Sequence, residues 1–389
     1  IDILKQLFLD KDSPTEMLWL VDQTEKFCQD KAIYNAVLES VAILDNKDGK
    51  KHKNSIPDIL SKALGVTFDA HIGHDYIEQS SERFDFYHKR EERIPFDLDF
   101  FNRITQGGFC EKTLNVFLAG TGVGKSLVMC HMAASAMTMG KNVLYITLEM
   151  AEEQIAKRID ANLLNVQLDE ILKIAKSDYE RKFSALKTRT HGKLIIKEYP
   201  TAGASVLHFR ALVNELALKR SFKPDIVFID YLNICSSSRI KPGGNTNSYQ
   251  YLKSIAEECR GMAVECKVPL ISATQTNRDG FDNSDVDLTD TSESFGLPMT
   301  ADFMCAIIQT EELANMGQYM VKQLKNRYSD PNINKRFVIG VDKSRMRLFD
   351  VQQSAQANIQ GSGQPSANLP VSTNKMMVRK TRNFDGVKT

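Results

Sequence analysis

The chain has 389 residues, a quarter of them charged, and its 50 lysines and arginines almost balance 49 aspartates and glutamates for a formal net charge of +1. That length suits one large α/β domain with a smaller accessory region, and the near-neutral balance excludes a globally polybasic protein, so any nucleic-acid contact has to be local. Seven cysteines, at 28, 110, 130, 235, 259, 266 and 305, lack a paired short spacing and read as reduced core thiols, and no apolar run is long enough to span a bilayer, which predicts a soluble, intracellular protein without a membrane partner.

Residues 1 to about 45 read as helical, because Leu18, Val21, Phe27, Ile33, Val37, Val41 and Leu44 recur at helix-like intervals among charges. Such a piece is too small to bury a core alone and needs a partner surface or a further N-terminal portion. The run DNKDGKKHKN, residues 45–54, is a charged linker. Pro57 then sits in the first turn of a short helix, PDILSKALG, which Gly65 ends. Its Ile59, Leu60, Ala63 and Leu64 form an apolar patch that either docks on a neighbouring subunit or folds back on its own domain. Residues 72–92 predict a charged amphipathic helix carrying Tyr76, Phe84, Phe86 and Tyr87, with Pro95 marking its end.

The main domain follows. In LNVFLAGTGVGKSL, Leu114, Val116 and Leu118 alternate as in a buried strand, a glycine-rich turn comes next, and LVMCHMAASAMTMG forms a packed helix closed by Gly140. Strand, loop and helix bring several backbone N–H groups and a helix N-terminus to one point, which is how a chain cradles a phosphate. Gly120, Thr121, Gly122, Val123, Gly124, Lys125, Ser126 and Leu127 make up this candidate nucleotide loop, although Ala119 stands where the strict consensus has glycine. Lys125 is expected to reach the β- and γ-phosphates of ATP, and the Ser126 hydroxyl to hold Mg²⁺.

Further along, NVLYITLEM is an apolar strand followed by the helix AEEQIAKRIDANLL. KLIIKEYP is a strand, 205–218 a helix, DIVFIDYLNI a strand leading to a polar loop, 249–266 a helix and VPLISATQ a strand. FMCAIIQT and QYMVKQLKNRY read as an antiparallel edge, and KRFVIGVD and SRMRLFD add two more strands. Apolar strands alternating with helices predict a mostly parallel sheet covered on both faces. From Val351 the chain is rich in Gln, Ala, Ser, Gly and Pro and reads as a disordered tail. Its basic end, with Lys375, Arg379, Lys380 and Arg382, either touches nucleic acid or a partner protein, or simply solubilises.

Asp230 ends its apolar strand where it can accept from a Mg²⁺-bound water. Glu149 ends a neighbouring strand; it either orients and deprotonates the water that attacks the γ-phosphate or caps the next helix. Gln275 ends a third strand with an amide suited to sensing the γ-phosphate. Lys325 and Arg327, two apart on one strand, either complete a neighbour's site or are solvated edge charges.

AGTGVGKS, the strand end TLEM, IDYLNI, the block ATQTNR and the pair within KNR resemble, in that order, the motifs of the hexameric replicative DNA helicases of the DnaB family, nearest its bacteriophage T4-type branch. The resemblance runs from about Phe27 to Asp342. It implies a RecA-like P-loop ATPase core, with 1–48 as the remnant of a helical collar domain, 49–95 as a linker with an inter-subunit docking helix, 96–350 as the motor and 351–389 as the tail. It also implies Lys125 and Ser126 as phosphate and Mg²⁺ ligands, Glu149 as the catalytic glutamate, Asp230 in the Mg²⁺ shell and Gln275 as sensor. Lys325 and Arg327 become the pair supplied in trans, Arg327 being the arginine finger.

Single-stranded DNA is expected to thread the ring and meet loops 236–247 and 277–294. The first loop offers Arg239 and Lys241, with Gly243 and Gly244 permitting close backbone approach to phosphate. The second is acidic, which leaves Arg278 or backbone amides to touch phosphate. The implied protein is a homo-hexamer in the cytoplasm of a bacterial host, moving 5′ to 3′ at a forked duplex beside a primase, a helicase loader and a polymerase. The competing readings are a RecA-like recombinase filament, a signalling-ring ATPase, and a non-hydrolysing ATP-gated scaffold on DNA.

Overall fold

The computed structural model describes residues 17–45, 55–67, 75–88, 92–240, 248–275 and 296–352. They fall into two compact units, residues 1–90 and 91–389.

The first unit is helical. α1 spans Met17–Leu44, α2 Ile56–Leu64 and α3 Ser80–His88. α2 starts where expected, with Pro57 in its first two positions, Asp58 in the first turn and Lys62 in the last, each suited to its end of the helix dipole. It packs against α1 and buries Ala63, while Gln29 Nε2 donates to the Val66 carbonyl at 3.1 Å. Of the apolar residues on α1, Ile43 and Ala36 are buried, whereas Phe27, Val37 and Leu44, which predicted the helix, stay exposed. α3 is shorter than the helix predicted over 72–92. Residues 75–79 form a separate turn before it, in which the Asp75 carboxylate accepts from the Ile77 and Glu78 N–H groups and the Asp75 carbonyl from the Gln79 N–H. Residues 72–74 and 89–91 lie outside the described residues.

The second unit is built on a nine-stranded sheet, counted among the described residues. A two-residue ribbon, β1 (Arg93–Ile94) with β2 (Phe109–Cys110), brackets α4 (Asp99–Ile104). The chain then runs β3 (Leu114–Ala119), α5 (Lys125–Thr138), β4 (Val143–Thr147), α6 (Glu152–Leu163), α7 (Leu168–Ile171), α8 (Lys176–Arg189), β5 (Leu194–Glu198), α9 (Val206–Arg220) and β6 (Ile226–Asp230). After these come α10 (Ser248–Cys266), β7 (Leu270–Gln275), α11 (Gly296–Thr300), β8 (Phe303–Ile308), α12 (Glu311–Asn315), β9 (Gln318–Asn326), β10 (Arg336–Asp342) and β11 (Arg347–Asp350). The strand order is β11-β10-β9-β8-β3-β7-β6-β4-β5.

Both faces of the sheet are covered, and the period of two decides which residue goes where. Phe117, Tyr145, Phe228 and Phe303 face the layer of α4, α5 and α6. Val116, Ile146, Ile229 and Met304 face the layer of α9 and α10. That two-sided burial is why these strands read as unbroken apolar runs.

Two expectations need correction. β8 does pair antiparallel with β9, as expected, but it is not at an edge: its other side pairs in parallel with β3, Phe117 opposite Cys305. All six residues of β8 are buried, as suits an interior strand. Between residues 164 and 192, where no element was predicted, the chain forms α7 and α8. Neither buries a residue fully, so neither shows an apolar stripe strong enough to read. All seven cysteines are free thiols, and burial pushes those of Cys130 and Cys259 up to about 12. No helix among the described residues is long and apolar enough to cross a membrane.

Candidate active site

The register of the parallel strands brings the predicted groups to one rim. Ala119 at the end of β3 lies opposite Gln275 at the end of β7, and Thr147 at the end of β4 lies opposite Asp230 at the end of β6. β6 and β7 are themselves neighbours, so the loop after Ala119, Gln275, Asp230 and Glu149 all emerge at the carboxyl edge of the sheet, where ligands bind in such folds.

The loop has the backbone that a phosphate cradle requires. Gly122 and Gly124 have φ of +76° and +131°, and a Cβ on Gly124 would fall 2.5 Å from the Tyr319 hydroxyl. That hydroxyl donates to the Val123 carbonyl, so β9 holds the loop from beside. Gly124 is also the N-cap of α5 and has no side chain to cap it, which leaves the first amides of the helix directed at the loop's centre. Lys125 is 8% exposed, and its Nζ lies 5.5 Å from the Tyr231 ring centre. Burial pulls its pKa below the ordinary lysine value, against the opposing pull of the Glu149 and Asp230 charges. Lys125, Glu149 and Asp230 are therefore electrostatic neighbours at the sheet's carboxyl edge.

Asp230 is completely buried. Tyr145 Oη donates to its Oδ2 at 2.9 Å, while Oδ1 has no hydrogen-bond partner among the described residues. Burial raises its pKa, and the Tyr145 and Ser126 hydroxyls pull it back. A buried carboxylate oxygen without a partner, close to a serine hydroxyl at a phosphate loop, fits Mg²⁺, which takes one or two carboxylates and fills its shell with phosphate and water. Glu149 is exposed just beyond β4, in a turn closed by Thr147 Oγ1, which accepts from the Met150 N–H and donates to the Met150 carbonyl. The capping alternative for Glu149 is not realised: Ala151 is the N-cap of α6, and the first helical N–H, that of Glu152, donates to the Glu198 carboxylate at 3.2 Å rather than to Glu149. Gln275 is half-buried at the rim.

Lys325 and Arg327 sit elsewhere. Phe303 at the start of β8 pairs with Asn326, so both cations lie at the amino end of the parallel strands. Over the six residues of β3 that is roughly 20 Å from the phosphate loop of the same chain. Lys325 Nζ donates to the carbonyls of Pro298 and Met299, at 2.6 and 3.1 Å. Arg327 Nη1 donates to Asp302 Oδ1 at 2.6 Å; Asp302 also takes both guanidinium arms of Arg260 and the Leu114 N–H. Arg327 lies just past the end of β9 and remains half exposed.

Of the predicted DNA contacts, Arg239 is exposed, 3.6 Å from Glu257; Lys241, Gly243, Gly244 and Arg278 fall outside the described residues. The start of the first loop is anchored by a residue that sequence reasoning missed. Glu258 of α10, 3% exposed, accepts from the hydroxyls of Ser237, Ser238 and Ser254 and from the Ser238 N–H, and these bonds hold its pKa below the usual glutamate value despite burial. Tyr145, Tyr319 and Asp302 were missed likewise. The legible signals were a hydroxyl in an otherwise apolar strand and a carboxylate on the buried face of a helix.

The DnaB-like helicase C terminal domain family matches residues 94–346. The chain is 44% identical over 355 residues to the DnaB-like replicative helicase of Enterobacteria phage T4, covering 88% of this chain and 74% of that protein. It is 24% identical over 201 residues to the replicative DNA helicase DnaB of Helicobacter pylori, covering 51% of this chain and 40% of the relative. Two solved structures share the fold at 18% identity. One, an isolated ATPase domain, superposes with a TM-score of 0.59 over 72% of this chain and all of that one. The other, a DnaB-like replicative helicase studied for its interactions with primase, superposes with a TM-score of 0.60 over 85% of this chain and 78% of that one. The recombinase, signalling-ring and scaffold readings fall away, because a glycine-rich loop on this sheet, a family match across residues 94–346 and 44% identity to a phage relative agree that the chain belongs to the DnaB-like replicative helicases, ATP-driven enzymes that unwind DNA at replication forks.

Proposed function

We propose that six copies of this chain close into a ring around single-stranded DNA and move 5′ to 3′, each ATP lying between the loop of one subunit and the Lys325–Arg327 corner of the next. The observation that carries this reading is the separation of roughly 20 Å, through the sheet, between Arg327 and the loop of its own chain. An arginine that stabilises developing phosphate charge has to touch it, so Arg327 serves another subunit's site.

Within each site the amides of Gly120–Leu127 and the Lys125 ammonium bind the phosphates. Glu149, free of any capping duty, orients the attacking water and accepts its proton, and Gln275 contacts the γ-phosphate from the adjoining strand. Mg²⁺ held by Ser126 and Asp230 would neutralise charge between the β- and γ-phosphates. Arg239, Lys241, Gly243, Gly244 and Arg278 grip the DNA backbone without reading sequence, as a translocase needs. A relative studied with primase supports a primase as partner, with a loader and a polymerase completing the replisome.

Strand displacement on forked duplexes tests the polarity. Displacement that needs ATP, Mg²⁺ and a free 5′ tail is expected; displacement that needs the 3′ tail instead overturns the direction. DNA-stimulated hydrolysis with no displacement from either fork overturns translocation.

The linker reading, over residues 49–95, has its own support. An apolar groove of about 620 Å³ lies beside α6, α8 and β5, lined by Ile159, Leu163, Tyr179, Phe183 and Leu186. α2 leaves Leu64 73% exposed, and a neighbour's α2 seated in that groove would tie the ring together. Leu64→Asp is then expected to cut the hexamer fraction at micromolar concentration about tenfold, since a carboxylate placed in an apolar groove costs a few kcal/mol. Native mass spectrometry reads the result, and an unchanged hexamer rules the tether out.

A further inference from the structure

Tyr145 carries a hydroxyl where packing needs none. All five residues of β4 are buried, and the Tyr145 ring stacks on Phe228 with centroids 5.8 Å apart and planes at 11°. A phenylalanine would fill that space equally well. The hydroxyl must be satisfied in an interior that offers no water, and it is: Oη donates to Asp230 Oδ2 at 2.9 Å and faces the Cys130 thiol at 3.8 Å. The two oxygens of the Asp230 carboxylate therefore differ. Oδ2 is tied down, and Oδ1 is buried without a partner among the described residues.

From this asymmetry we infer that Tyr145 is a positioning residue for the Mg²⁺ carboxylate, fixing Asp230 through Oδ2 so that Oδ1 is kept for the ion's water shell. The inference rests on the assignment of Asp230 and Ser126 to Mg²⁺. A free aspartate has a broad terminal torsion, and the Lys125 ammonium lies near enough to act on Asp230. Without the Tyr145 hydroxyl, the carboxylate can turn towards Lys125, which removes the Mg²⁺ acceptor and occupies the cation meant for phosphate. Substrate and metal binding then compete for Lys125 and Asp230, where the hydroxyl now keeps them apart.

Tyr145→Phe deletes the hydroxyl and keeps the ring. Equilibrium titration of the full chain with a fluorescent ATP analogue, once with Mg²⁺ and once with EDTA, separates metal-linked from metal-free affinity, and a melting curve monitors the fold. Asp230→Asn is titrated in parallel. The expected result is that Tyr145→Phe keeps the affinity in EDTA and loses about tenfold of the gain that Mg²⁺ gives, the usual scale for a hydrogen bond to a charged group. If Asp230→Asn loses the Mg²⁺ gain and Tyr145→Phe keeps it, the positioning role is overturned while the Asp230 assignment stands. If Asp230→Asn keeps the gain, the Asp230 assignment itself fails. Equal losses with Mg²⁺ and EDTA, or a collapsed melting curve, would make Tyr145 a packing residue and overturn the inference.

Discussion

Lys125→Ala is expected to abolish ATP turnover, lowering kcat about 10³-fold or more and reducing strand displacement to background. The size of the effect follows from where the ammonium sits. Lys125 is 8% exposed at the first position of α5, beside the uncapped amides that cradle phosphate. Burial works against its charge, and Glu149 and Asp230 work for it. Removing the ammonium takes away the cation proposed to face the γ-phosphate and also leaves the Glu149 and Asp230 carboxylates without it. Nucleotide affinity is therefore expected to fall along with kcat. Lys125→Arg should rescue little, because a planar fork does not replace a compact charge in so enclosed a place. Steady-state hydrolysis with and without single-stranded DNA is the measurement, and turnover within tenfold of the wild type would remove Lys125 from the phosphate site.

Arg327→Ala is expected to lower kcat by about 10³- to 10⁵-fold, and the loss should be recoverable by mixing. Glu149→Gln subunits are expected to be inactive for want of the proposed water-orienting carboxylate but still carry Arg327. In rings assembled from equal parts of the two variants, about a quarter of the head-to-tail interfaces pair an intact Glu149 with an intact Arg327. ATP hydrolysis should recover towards that fraction. No recovery would mean that the arginine acts within its own chain, contrary to its place at the far end of the sheet. Arg327 can leave Asp302 at little cost because Arg260 grips the same buried carboxylate with two nitrogens and keeps it paired.

What the sequence made legible follows the range of the interactions. The loop from Gly120 to Leu127 and the strands on either side could be read because their determinants are local: glycines at fixed offsets, and an apolar run buried on both faces. Asp230, Glu149 and Gln275 were legible for the same reason, each ending such a run. The parallel placement of β8 was not, since nothing inside FMCAII says which neighbour it pairs with. The Tyr145–Asp230 bond joins residues 85 apart in sequence, and Arg327 meets Asp302 across 25. Contacts of that kind are fixed by sheet order, which no local pattern encodes. α8 was missed for a different reason: it lies on the surface and buries no residue fully, so its sequence reads as polar coil.

β9 touches two worlds at once. Near one end, Tyr319 holds the Val123 carbonyl of its own glycine-rich loop; at the other, Lys325 and the adjoining Arg327 lie at the opposite edge of the sheet, roughly 20 Å away. Its first half, Gln318–Lys322, is paired with β10 on one side, and from Met320 onward it is paired with β8 on the other, so the residue that holds the loop sits in a hydrogen-bonded part of the strand. In the head-to-tail ring proposed above, one strand would thus touch its own subunit's nucleotide site through Tyr319 and the next subunit's through Arg327, which makes every interface directional.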